Sequence, residues 1–410
     1  MGFIKIAVAI VVALVAMLVG FMWDYRDADM KADSIMLGWK HSFDQRFDFD
    51  LPEIKIEGEG GEGEVNLVVM TKRVCYFDLP DGYAEGDAAP ILFLIHGKAS
   101  MADDMKTFFG EKSVARARKE GFVVVYPVGV LDDEEGIRTW NAGNIHLPNN
   151  ADDVGYFSRV VDHLAANFNA DPQSVFLSGM SNGGFMSNRL ACAWANESQH
   201  IRVRAIAPVM GGMAKMKYDK KCIGESIKWG MIPLPTIYMF NQETCPYETW
   251  NEAPSHFECE AVKDLPVMII NNGKDVLVPF NGVVVSGKEE GIFPPVEYTL
   301  RFFAEANGCS YDVDDNTVGR TETFRQVSEE DPDDITTCHS LQNCRKANTT
   351  VCVSHKSGHN WVWDGIDSSE LFILPSRLFG WLMSPFATTF DTNHEILSFF
   401  AQHRKLELSD

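Results

Sequence analysis

The segment Ser174-Val175-Phe176-Leu177-Ser178-Gly179-Met180-Ser181-Asn182-Gly183-Gly184-Phe185 leaves this chain few choices of fold. A short apolar run meets a Gly-x-Ser-x-Gly turn, and a helical run begins directly behind it. A turn that tight strains the backbone at Ser181, and its neighbours two residues to either side must lack side chains. Such a turn joins a buried strand to a helix lying on the sheet. The remaining sequence supplies more of both elements. Apolar, β-branched runs at 73–79, 91–95, 122–126, 174–177, 205–209, 267–270 and 350–354 read as strands. Between them 103–119, 154–170 and 185–196 read as helices. This alternation predicts an α/β fold with a mostly parallel central sheet covered by helices on both faces.

The same segment points to chemistry. The turn lifts the Ser181 hydroxyl above the sheet edge, at a helix N-terminus whose N–H groups and positive dipole end favour a developing oxyanion. A serine is a poor nucleophile until a base takes its proton and an acid orients that base. In α/β hydrolases the order along the chain is serine, acid, histidine. The buried run 265–270 empties into Asn271-Asn272-Gly273-Lys274-Asp275, which sets Asp275 on a loop at the carboxyl end of a strand. A solvated loop carboxylate is the alternative reading of Asp275. Farther on, Val351-Cys352-Val353-Ser354 leads through Ser357-Gly358 to His359, which is preferred as the base over His355 at the end of the strand run. A second oxyanion donor is expected from the loop after an earlier strand. In 91–98, Gly97 lets the backbone pass close to a substrate, and the N–H of Lys98 joins that of Asn182. His96 is read as bracing this loop by hydrogen bonding.

Several linked motifs then resemble one family. Trp140-Asn141-Ala142-Gly143, Asp152-Asp153-Val154-Gly155-Tyr156, Gly179–Gly184 and Arg189-Leu190-Ala191-Cys192 look like the polyhydroxybutyrate depolymerase and feruloyl esterase group of α/β hydrolases, from about Arg73 to about His403 apart from the 217–263 stretch, which is longer than the family usually has. The resemblance implies the α/β-hydrolase fold and a serine esterase acting on feruloyl or acetyl polysaccharides, or on hydroxyalkanoate-type esters. By resemblance Ser181, Asp275 and His359 form the triad, and Asn182 and Lys98 the oxyanion donors. Trp361, which follows the histidine, and Trp140 are expected to contact substrate, with a packed aromatic as the alternative for Trp361. Cys309 is expected to pair with Cys344, and Cys192 to remain unpaired. The chain departs from the family pattern in three places. A short Ser357-Gly358 leads into the histidine, Asn272 precedes Gly273 where the family has histidine, and Val362 replaces a proline. A serine peptidase of the same fold, or a catalytically silent membrane-tethered binding protein, are the competing readings.

Composition narrows partners and compartment. Asp and Glu number 58 against 36 Lys and Arg, a formal charge of −22 with no basic patch, so nucleic acid is not an expected partner. No metal-ligating cluster or phosphate-binding glycine loop is evident, and ester hydrolysis on a serine needs no cofactor. The uncharged run 6–22 behind Lys5 marks 1–23 as a signal anchor or signal peptide, the expected membrane contact of the chain. Either would put the remainder outside the cell or in a lumen, where the nine cysteines can pair and the sequons at Asn196 and Asn348 can carry glycans. Residues 24–65 read as a stalk and lead-in to the domain, with a Gly/Glu linker at 57–64, and 66–405 as one catalytic domain. Proline, cysteine and aromatic residues break the rhythm at 217–263. This insertion is read either as a lid, with Trp229, Met231, Tyr238, Phe240 and Trp250 covering the site, or as a surface excursion stapled by Cys222, Cys245 and Cys259.

Overall fold

The computed structural model describes residues 42–57, 65–83, 88–131, 137–143, 151–197, 200–213, 223–227, 237–240, 259, 262–285, 292–311, 319–345, 347–362 and 387–404. Ten strands form the central sheet: β1 (Gln45–Glu57), β2 (Val65–Asp78), β3 (Ala89–Ile95), β4 (Val123–Pro127), β5 (Ala170–Met180), β6 (Val203–Val209), β7 (Val267–Asn272), β8 (Arg320–Val327), β9 (Ile335–Leu341) and β10 (Thr349–Ser354). Among the described residues the helices are α1 (Ala102–Phe109), α2 (Glu111–Lys119), α3 (Asp153–Phe168), α4 (Asn182–Glu197), α5 (Val296–Asn307) and α6 (Thr392–Gln402). In space the strands run β1-β2-β4-β3-β5-β6-β7-β10-β9-β8. The six from β4 to β10 are parallel, and antiparallel pairs finish both edges.

Side-chain alternation along the central strands builds two cores. On β3, Ile91, Phe93 and Ile95 face one side with α3, α4 and α5 over them. Leu92 and Leu94 face the other, under α1, α2 and α6. This is the mostly parallel sheet with helices on both faces that the sequence pattern predicts. Chain order also fixes where a site can open. From β3 the chain steps outward to β4, then returns past β3 to β5 and continues the opposite way, so the crevice at the carboxyl ends of β3 and β5 is a topological switch point.

Some elements differ from the sequence reading. The helix expected over 103–119 is two helices, broken at Gly110, whose φ of 72° no continuing helix adopts. Residues 45–57 are not part of a stalk but the edge strand β1, paired with β2 along its whole length. Phe47 stacks on His163, and Phe49 on Tyr156, so alternate residues of β1 cover α3 while Arg46 and Asp48 stay outside. Two stretches of the 217–263 insertion, Ile223–Ile227 and Ile237–Phe240, join Val283–Val285 and Ile292–Phe293 in a four-stranded antiparallel sheet. The insertion is thereby hydrogen-bonded to the chain that follows the acid loop. Tyr238 and Phe240 lie on its second strand; Trp229, Met231 and Trp250 lie outside the described residues.

Disulfides join Cys192–Cys259, Cys309–Cys344 and Cys338–Cys352. The second is the pair that the resemblance implied. The first corrects the expectation that Cys192 stays unpaired, and it ties the far end of the insertion to α4. Among the described residues the free thiol is Cys75, buried in β2, where desolvation pushes its pKa far above that of a solvent thiol. Cys222 and Cys245 lie outside the described residues, as does the 1–23 segment. Among the described residues no helix is long and apolar enough to cross a membrane.

Candidate active site

Ser181 sits between β5 and α4 with a φ of 54°, the left-handed conformation expected of a strained turn. Its N–H donates to Val209 O at 2.8 Å and its carbonyl accepts from Phe185 N at 3.0 Å, which locks the turn onto β6 and the first turn of α4. The flanking glycines are there because backbones converge. A Cβ on Gly183 would stand 2.1 Å from Ile95 O, and one on Gly179 would stand 2.6 Å from both Ile95 O and Gly183 O. Strand β3 therefore presses directly against the turn. That contact also brings the next loop into place, since a Cβ on Gly97 would be 3.5 Å from Ser181 Cβ. Lys98, one residue farther, is half-buried.

Strands β7 and β10 deliver the other two groups from the same end of the sheet. They pair in parallel from Val267↔Thr349 to Asn272↔Ser354, so the loops that follow leave side by side. His359 Nδ1 lies 2.7 Å from Asp275 Oδ2, with Asp275 4% and His359 5% exposed. The other carboxylate oxygen, Oδ1, accepts from Leu277 N at 2.8 Å and Val278 N at 2.9 Å. A carboxylate offers no proton, so the ring proton is on Nδ1 and the Nε2 lone pair is left as the base. Asp275 is thus a buried partner of His359 and not a solvated loop carboxylate. His355, the rival base, is exposed, and its Nε2 contacts Thr337 Oγ1 of β9 at 2.9 Å.

The oxyanion side rests on a buried polar network. His96 is buried, with Nδ1 2.7 Å from Gly97 O and Nε2 accepting from Gly129 N at 2.9 Å. Desolvation first, then Arg138 and Arg73, push its pKa down to about 3, so it braces the loop as a neutral ring. The Asn182 side chain is engaged away from the crevice: its Oδ1 accepts from Trp140 N at 2.8 Å and its Nδ2 donates to Trp140 O at 3.2 Å. Only its backbone N–H can serve an oxyanion. Trp140 Nε1 donates to His96 O at 2.8 Å, so this one residue fastens the β3 loop to the start of α4.

This placement corrects the two aromatic assignments. Trp140 and Trp361 are both 0% exposed. Trp140 packs among Tyr156, Phe157 and His96, and Trp361 donates Nε1 to Asn393 Oδ1 at 2.7 Å in the core beneath α6. Neither has surface to offer a substrate. Sequence reasoning also missed Asn272, and the Leu277 and Val278 amides; the two asparagines closing an apolar strand run were the available signal. The sequon residues Asn196 and Asn348 are exposed, at the end of α4 and before β10.

A mostly parallel sheet of this strand order, with a strained serine at its switch point and an Asp–His pair at the same end of the sheet, defines an α/β hydrolase. Residues 69–269 match the family model described as "Esterase: Putative esterase". The chain is 22% identical over 286 residues to feruloyl esterase B of Piromyces equi, covering 68% of this chain and 41% of that protein. It is 30% identical over 196 residues to "Putative esterase NocK" of Nocardia uniformis subsp. tsuyamanensis, covering 47% and 51%. The chain spans about half, or less, of the length of these curated relatives. Among solved structures it is similar to an acetyl xylan esterase from Aspergillus awamori, at 13% identity and a TM-score of 0.40, covering 76% of this chain and 94% of that one. The family resemblance carried by the sequence motifs is borne out.

Proposed function

We propose that the protein is a serine esterase that cleaves carboxylic esters through an acyl-enzyme on Ser181. The observation that carries this reading is the buried 2.7 Å contact between His359 Nδ1 and Asp275, made at the same end of the sheet as the strained Ser181. In the reaction that follows from it, Ser181 Oγ attacks the ester carbonyl carbon while His359 Nε2 takes the hydroxyl proton. Asp275 holds the ring and stabilises the imidazolium. The carbonyl oxygen becomes an oxyanion beside the backbone N–H groups of Asn182 and Lys98. As the tetrahedral intermediate collapses, the C–O bond to the alcohol breaks, and His359 gives its proton to the leaving oxygen. Water, deprotonated by the same nitrogen, then attacks the acyl carbon and releases the acid and Ser181.

The substrate class follows from the resemblance and from the named relatives: a feruloyl or acetyl ester on a polysaccharide, or a hydroxyalkanoate oligomer. The hydrophobic N-terminal run, the disulfides Cys192–Cys259, Cys309–Cys344 and Cys338–Cys352 among the described residues, and the exposed sequon asparagines support an extracellular or lumenal domain, tethered or secreted, with glycans on Asn196 and Asn348. Reaction with a fluorophosphonate probe tests the mechanism. Wild-type protein is expected to label and Ser181→Ala to stay unlabelled; labelling that survives the substitution refutes this nucleophile. An unlabelled wild type would instead support a silent binding protein. Rates on feruloyl, acetyl, short-chain aryl and hydroxybutyrate esters, against a matched amide, then separate the substrate classes and the peptidase.

A further inference from the structure

We infer that Asn272 is a positioning residue for His359: its side-chain amide grips the carbonyls of the residues on either side of the histidine and so sets where the imidazole stands. The inference rests on the esterase reading above. Asn272 is the last residue of β7 and is 2% exposed. Its Nδ2 donates to Gly358 O at 2.6 Å and to Asn360 O at 2.8 Å. Both acceptors are carbonyls, so the group facing them is the NH2 and not the amide oxygen. The two carbonyl acceptors of this NH2 stand one before and one after His359, and Met210 Sδ is a third, longer neighbour of the same nitrogen at 3.3 Å.

The histidine loop needs such a clamp. Regular pairing of β7 with β10 ends at Asn272↔Ser354, and His359 lies five residues beyond that end. Two backbone bonds continue the seam, Gly273 N to Ser354 O at 2.8 Å and Lys274 N to Ser357 O at 2.9 Å, and they stop short of the histidine. The Asn272 amide covers the remaining gap. Asp275 fixes the ring from its Nδ1 side, three residues along from the clamp. The acid and the clamp therefore leave the same strand end, and His359 is held at its ring and at its backbone by a single short segment. A displacement near 1 Å at a reacting group costs on the order of 10²-fold in rate, which is the effect expected when the amide is lost.

A second buried asparagine provides the control. Asn307 is 0% exposed and ties the opposite end of the same two strands, bonding Leu265 N at 3.0 Å, Leu265 O at 2.8 Å and Thr349 Oγ1 at 2.9 Å. Its loss should destabilise the β7–β10 seam without moving His359. The experiment measures melting temperature, kcat and KM on an aryl ester, and fluorophosphonate labelling rate. The full-length proteins are wild type, Asn272→Leu, Asn272→Asp, Asn272→Ser and Asn307→Leu. Asn272→Leu and Asn272→Asp should lose on the order of 10²-fold in kcat and labelling rate, with KM within about twofold of wild type. Asn272→Ser, which keeps one donor hydrogen, should fall between, and it carries the test alone if the other two do not fold. Asn307→Leu should lower the melting temperature and leave kcat unchanged. The inference is overturned if Asn272 variants keep kcat within about threefold, or if Asn307→Leu loses as much kcat as they do. A wild type that neither labels nor hydrolyses would remove the esterase reading itself, an outcome distinct from an active wild type indifferent to Asn272.

Discussion

The buried ion pair behind the oxyanion loop gives a demanding test of how the site is supported. Arg73 Nη2 meets Asp153 Oδ1 at 2.6 Å, with side chains 1% and 0% exposed, and the Arg73 guanidinium lies 4.0 Å from the centre of the Tyr156 ring. Asp153 Oδ2 accepts from Asn141 N at 2.6 Å, next to the tryptophan that fastens the β3 loop to α4. Asp153→Asn keeps the shape and removes the charge that Arg73 faces. Breaking one side of a buried pair costs about 3–5 kcal/mol, because the remaining charge has given up its hydration. For a domain of roughly 340 residues at about 2.1 cal/mol/K per residue, the unfolding entropy is about 0.7 kcal/mol/K, so the melting temperature should fall by roughly 4–7 °C. Arg73→Met should cost a similar amount. The double variant, with no buried charge left from the pair, should be more stable than the sum of the singles predicts, by about 0.5–3 kcal/mol. Calorimetry and urea melts on the four proteins measure this cycle. An Asp153→Asn protein melting within about 1 °C of wild type, or a strictly additive cycle, would refute the reasoning.

Asp275→Asn should lower kcat by roughly 10⁴-fold with KM little changed, because the amide can no longer enforce the Nδ1–H tautomer; steady-state kinetics on an aryl ester check this. Cys192→Ser opens a crosslink between residues 67 apart and should cost about 4 kcal/mol, read as a lower urea midpoint that reductant lowers no further at this bond. His96 carries a pH signature. Its folded pKa of about 3 lies below the ordinary value of 6.5, so between those values the unfolded chain binds the extra proton and stability falls as pH falls. His96→Gln should therefore flatten the stability-against-pH slope by about 1.4 kcal/mol per pH unit in that window, whatever its effect at pH 7; an unchanged slope would mean that His96 is protonated in the fold.

What the sequence disclosed and what it hid divide along one physical line. Ser181, Asp275 and His359 could be read because each follows an apolar strand run within a few residues, and the strand-end grammar is local. Cys192 could not, because its partner lies 67 residues away across the insertion, and spacing alone does not choose among pairings. Strand β8 was missed for a different reason. As the outer edge of the sheet it exposes Thr321, Glu322, Thr323, Arg325 and Gln326, so it has the composition of a loop while holding the hydrogen bonds of a strand. The two tryptophans are the most instructive case. Trp140 was read as touching substrate, yet its N–H, carbonyl and ring N–H are turned inward onto Asn182 and His96, and the N–H of the next residue, Asn141, onto Asp153. A sequence motif flanking an active site marks residues that the chemistry requires, but it does not say whether they meet the substrate or hold those that do. Burial settles that question. At 0% exposure Trp140 acts through the loops it joins, so Trp140→Phe should loosen the oxyanion side by removing its bond to His96 O while leaving the Asp275–His359 pair intact. A loss confined to kcat would place its role there, and a loss confined to KM would return it to the substrate pocket.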